Sequence, residues 1–179
     1  MARAPIWPRP AAIWLYYQRS QVALLALRTE TNRSPVRLTS DPFFGLTPVE
    51  CEATLSGMRD ELDDQVTLAL VASFEASFQT DFAHRARKAR LKDPVSRACR
   101  TLATKYRERV RFEDILDVWK EATGQRQVFG HFAQLLNYRH WLAHGRYWVH
   151  KSGSDFDPGD AWEIGQRLIQ QLPPEFPLP

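Results

Sequence analysis

Cysteine is scarce in this chain. Cys51 and Cys99 are the only two in 179 residues, and neither has a partner at CxxC spacing. That excludes a zinc ribbon, a thioredoxin-type redox site and a disulfide-stapled secreted scaffold. Long apolar runs are missing as well. The nearest candidate, residues 11–27, is cut by Gln18, Arg19, Ser20 and Gln21, so no transmembrane helix is expected. Glycine is sparse, with eight residues, and no Gly-rich phosphate loop, GxSxG, HExxH or DxDxDG pattern occurs. Acid is absent from the first 29 residues, which carry four arginines, but Pro5, Pro8 and Pro10 spoil the amphipathic helix of a transit peptide. A clean signal-peptide core is lacking too, and a cytoplasmic protein is expected.

What is present is an ordinary globular composition, 44% apolar and 25% charged. One domain of this length buries enough surface to fold without a metal or disulfide. The net charge of +3 hides an asymmetry. Residues 84–111 hold eleven Lys/Arg against Asp93 and Glu108, while Asp60, Glu61, Asp63 and Asp64 crowd five positions upstream. Arginine outnumbers lysine 19 to 5, and its planar fork suits phosphate oxygens. Arg85, Arg87, Lys88, Arg90, Arg97 and Arg100 are the candidate nucleic-acid contacts of this run, with Arg146 beyond it. A solvated helix face is the competing explanation, and Tyr106 is the run's one aromatic residue, so base stacking is not advertised.

The punctuation reads helical almost throughout. Thr47-Pro48-Val49-Glu50 is a capping box with proline in the first turn, followed by Gly57 as a possible break. Leu62, Val66, Leu70, Phe74, Phe78 and Phe82 then recur every four residues along a long helix to about Lys88. Asp93-Pro94 opens a basic helix to about Val110. A short one runs from Glu113 to Thr123 and stops at Gly124. The next spans about Gln127 to His144, and Asp157-Pro158 opens the last. The expectation is an all-α, up-and-down bundle over 47–172, with a less regular arm over 1–46 and a Pro-rich tail over 173–179. Within the arm, Pro10 opens a helix to Leu27, and residues 29–45 read as irregular.

The most informative segment is VFGHFAQLLNYRHWLAHGRYW, residues 128–148. Val128, Phe132, Leu135 and Leu142 share a helical stripe, and Arg139 falls on it. A guanidinium on a core-facing line is costly unless paired or used. His140 and His144 share a neighbouring face, with His144 at the helix end, where the dipole favours imidazolium. Arg-x4-His spacing alone is weak, because composition yields roughly half a match by chance. It occurs twice here, but Arg126 to His131 straddles a helix start and encloses Gly130, so context favours Arg139 to His144. His140 and His144 are also spaced as two helical metal ligands, but the sequence offers them no convincing third. Glu75, on the edge of the apolar face of 70–82, is placed to orient Arg139, and Asp81 is a weaker alternative.

RHWLAHG, residues 139–145, behind an apolar helix resembles the signature of the HEPN superfamily: an Arg, a polar residue after it, then a His four to six positions on. LVASFEASFQTDF, residues 70–82, resembles the early HEPN helix whose polar residue faces that motif. Together these cover about 20 residues, while the helical layout matches over 47–172. The resemblance implies a metal-independent endoribonuclease without cofactor, acting on RNA as a homodimer whose two motifs form one cleft. It belongs with the toxins of toxin–antitoxin or phage-defence systems, so an antitoxin protein is an expected partner. Carried over, Arg139 stabilises phosphorane charge, His144 is the acid/base, His140 is the polar follower, and Glu75 is the facing acid. In members paired with a minimal nucleotidyltransferase, the second residue after the His is an adenylylated Tyr. Arg146 stands there in this chain, leaving Tyr147, one later, as the nearest acceptor. Two other classes compete: a non-catalytic RNA- or nucleotide-binding module built on 84–111, and a helical interaction protein in which Arg139 and Glu75 form a buried ion pair.

Overall fold

Thr47 starts the longest element. Its hydroxyl accepts the Glu50 N–H at 3.3 Å, and the Glu50 carboxylate accepts the Thr47 N–H at 2.8 Å, so two end donors are satisfied at once. In the computed structural model, which describes residues 9–33, 43–144 and 155–170, six α-helices follow one another. They are α1 (Pro10–Arg33), α2 (Pro48–Arg87), α3 (Pro94–Tyr106), α4 (Phe112–Thr123), α5 (Arg126–Ala143) and α6 (Pro158–Gln170). No strand occurs among the described residues, and the architecture is an up-and-down helical bundle. None of the described helices is long and apolar enough to cross a membrane.

α2 is the axis of the molecule, touching every other helix. It is unbroken for 40 residues, about 60 Å, so Gly57 does not interrupt it. A glycine inside a helix costs about 1 kcal/mol relative to alanine. Here α1 lies antiparallel against that stretch, with Gln21 donating to Asp63 at 2.9 Å and Arg28 donating to Glu52 at 3.0 Å. Burial of Cys51 and Leu55 with Phe43 supports the helix from below.

The four-residue stripe of α2 forms the core at its centre only. Val66, Leu70, Phe74 and Phe78 are buried, whereas Leu62 and Phe82 are half-buried. Each four-residue step advances 400°, so the line drifts about 40° per step and its two ends rotate out of the core. Phe78 sits at the hub, with the rings of Phe112, Trp119, Phe129 and Phe132 about it at centroid distances of 6.1–6.3 Å.

The N-terminal segment differs from expectation. α1 continues six residues past Leu27, and the Thr29 and Thr31 hydroxyls turn back onto the carbonyls of Leu25 and Leu27, each at 2.8 Å. It is part of the bundle rather than an arm over these residues: Ile13 is in the core, and Trp14 stacks on Trp162 of α6 at 5.3 Å. α3 also ends earlier than expected, at Tyr106. Arg107 takes a positive φ of 52° and a single 3-10 turn leads into α4. α4 stops at Gly124, φ 70°, as a left-handed cap requires.

Candidate functional site

α5 places the motif. Its buried line is Phe129, Phe132, Leu135, Tyr138 and Leu142. Val128 and Arg139, expected on the core stripe, are half-buried. The line turns toward Tyr138, whose ring meets Phe156 at 5.6 Å and Trp141 at 5.5 Å. Arg139 is thereby left at the edge of the core, facing α2.

There it meets the acid singled out for it. Arg139 Nη2 lies 3.8 Å from Glu75 Oε2, with side chains 35% and 21% exposed. Glu75 also accepts a hydrogen bond from Gln79, one turn further along α2, at 3.0 Å. The pair is therefore a half-open contact rather than a buried one. Its length leaves the guanidinium with donors to spare for an incoming anion.

His140 and His144 form the second pair. Their ring centroids are 4.1 Å apart at an interplanar angle of 62°, both side chains are exposed, and the His144 N–H closes the helix on the His140 carbonyl at 3.1 Å. Arg139 lies in the last turns of α5 and His144 caps it five residues on, a separation that helical geometry sets at about 140° around the axis. The contacts thus join Arg139 with Glu75 and His140 with His144. Among the described residues, no group of three His, Cys, Asp or Glu is positioned to hold a metal ion.

The basic run divides in two. Arg87, Arg90 and Arg97 are exposed; Lys88 and Arg100 are half-buried, with Arg100 Nη1 donating to the Lys88 carbonyl at 3.2 Å. Arg85 is withdrawn from the nucleic-acid contacts. It is 6% exposed, and its Nε donates to both oxygens of Asp81 at 2.9 and 2.8 Å. Its Nη1 reaches Asp93 and Ser96, each at 3.1 Å, and its guanidinium lies 5.0 Å from the Trp119 ring centre. Its Nε and Nη1 donors are thus taken up within the protein. The Asp81–Arg85 spacing, four apart on a helix, was the signal for this pairing. Asp81 accordingly faces Arg85 and not the motif.

Burial pushes the Asp81 carboxyl up, against the pull of Arg85. Cys99, beneath the same cluster, is pushed by burial up to about 12, which makes it an unreactive thiol. Gln79 is the site neighbour that sequence reasoning missed; its place four residues after Glu75 was the available clue. Arg146 and Tyr147 lie outside the described residues. Comparison with protein-family models, with curated proteins and with solved structures finds no match to this chain.

Proposed function

We propose that this chain is a metal-independent endoribonuclease of HEPN type, the toxin half of a toxin–antitoxin or phage-defence pair. The observation that carries the reading is Arg139. It is a cation at the edge of the core, held half-open against Glu75 at the end of the helix that bears His140 and is capped by His144.

In this reaction the ribose 2′-oxygen attacks the adjacent phosphorus, and the bond from phosphorus to the 5′-oxygen breaks. The products are a 2′,3′-cyclic phosphate and a 5′-hydroxyl. His144 takes the 2′-hydroxyl proton or protonates the leaving oxygen, and Arg139 offsets charge on the phosphorane. Glu75 orients the guanidinium. Because Arg139 and His144 diverge on one helix, two copies of the chain supply the pair across a shared cleft.

The test is incubation of labelled RNA in EDTA with wild type, Arg139→Ala and His144→Ala, followed by mapping of the product ends. Wild type should leave 2′,3′-cyclic phosphates, with at least a hundredfold loss in either variant. Undiminished cleavage by the double variant overturns the proposal. The divergence of Arg139 and His144 also favours a second reading, a module that binds RNA without cutting it. It predicts salt-sensitive binding and no product. The exposure of the Arg139–Glu75 pair speaks against the buried ion pair of a purely structural protein.

A further inference from the structure

A shallow groove of about 720 Å³ runs along the exposed side of α2, beyond the Arg139–Glu75 pair. Small side chains, Ala76, Thr80 and Ala83, line it. Gln79 lines it at one end, His84, Arg87 and Lys88 at the other. Gln79 is the residue that donates to Glu75, so the groove begins where the candidate site ends. Arg90 and Arg97, further along the chain, are exposed cations. From Glu75 to Lys88 is thirteen residues of helix, about 20 Å.

We infer that this groove is the track of a single-stranded RNA, which enters over Arg87 and Lys88 and is led past Gln79 to Arg139. The inference rests on the nuclease reading above and adds to it the substrate's form and path. Three features of the groove define the occupant. The positive charge of Arg87 and Lys88 is gathered at one end of a single helix face, which suits one phosphate backbone; a duplex presents two. Between Gln79 and the cations the lining is small, Ala76, Thr80 and Ala83, so a strand can lie close to the helix. Among the described residues no Phe, Tyr or Trp lines the groove, so the strand is held there by its backbone rather than by stacking. A span of about 20 Å takes a few nucleotides of extended strand.

Backbone-held strands bind with steep salt dependence and little sequence preference, the slope of log K on log salt being about −0.7 per neutralised phosphate for a single strand. The experiment measures binding of fluorescent single-stranded oligonucleotides and of the matching duplex to His144→Ala, which leaves the RNA uncut, across a salt series. Single strands should bind more tightly than the duplex. Adding Arg87→Gln and Lys88→Gln should weaken single-strand binding about tenfold at low salt and make the slope shallower by about 1.4. Arg19→Gln with Arg33→Gln, two exposed cations of α1, should leave both unchanged. In the cleavage assay, Arg87→Gln with Lys88→Gln should raise KM with kcat nearly unchanged, because these side chains hold the strand away from the reacting phosphate.

An unchanged slope in the Arg87/Lys88 variant, or equal affinity for the duplex, overturns the track. Groove-dependent binding by a wild type that never cuts upholds the track and removes the nuclease reading. Cleavage that is indifferent to Arg87 and Lys88 upholds the nuclease and removes the track.

Discussion

Arg85 is buried in the core and Arg139 lies at its edge, and their surroundings assign them opposite work. Arg85 donates through Nε and Nη1 to Asp81, Asp93 and Ser96 and is nearly closed off from water. Its removal strands a buried Asp81 carboxylate, so Arg85→Ala should cost about 3–5 kcal/mol. Arg139, with a 3.8 Å contact and a third of its side chain exposed, should cost no more than about 1 kcal/mol on conversion to Ala. Urea unfolding of the two variants beside wild type checks the contrast. Equal losses would make the Arg139 pair a structural strut and remove its availability to substrate. The sequence shows the four-residue spacing of Asp81 and Arg85, but not that α3 would bring Asp93 and Ser96 to the same guanidinium. That convergence depends on how three helices meet, which is why a buried structural arginine reads, in one dimension, as part of a basic surface.

At the scale of elements, the helix starts and stops were the most legible features. Thr47-Pro48, Asp93-Pro94, Asp157-Pro158 and Gly124 each act through hydrogen bonds or dihedrals within a few residues, so the chain carries their meaning locally. Gly57 and the threonines of α1 were not legible, because neighbouring helices decide whether a weak helix former is carried through. The pairing of Glu75 with Arg139 was anticipated from their places on two apolar faces, whereas Gln79 and the turning of the α5 core line toward Tyr138 required the packing itself. Glycines show the same division. A Cβ on Gly165 of α6 falls 2.0 Å from Phe74 Cε2, whereas a Cβ on Gly57 meets nothing within 4 Å. Gly165→Ala should therefore destabilise by about 1–3 kcal/mol or more, and Gly57→Ala should stabilise by about 1 kcal/mol. Thermal melts of both variants check the opposed signs.

For the whole molecule, three carboxylates placed at helix starts lose stabilisation in acid, while the raised Asp81 carboxyl acts in the opposite sense. Hydrogen bonds from the Thr47 backbone and hydroxyl hold Glu50 below the ordinary carboxylate range, and Arg111 does the same for Asp114. At Asp93, partial burial pushes the carboxyl up, but the Ser96 hydroxyl and N–H, together with Arg85, bring it below that range. Each takes up its proton less readily folded than unfolded. Their contribution is complete above the ordinary carboxylate pKa and is lost as pH falls through the depressed folded values. The urea midpoint should hold between pH 7 and about 5 and fall below about 4. Asp93→Asn should flatten that fall, and a slope equal to wild type would show that Asp93 takes no part.

The unbroken length of α2 has a consequence for how the molecule meets a partner. Its middle carries Asp60, Glu61, Asp63 and Asp64, and its end carries Arg87 and Lys88, some 25 residues on. That is nearly 40 Å of rigid rod, several Debye lengths in physiological salt. The protein is thus a lever with opposite charges at separated points. A polyanion drawing near exerts a torque on it, pushing the acidic stretch away while pulling the basic tip inward, so the molecule is turned before anything touches. Adding salt should slow this encounter more than it hastens release.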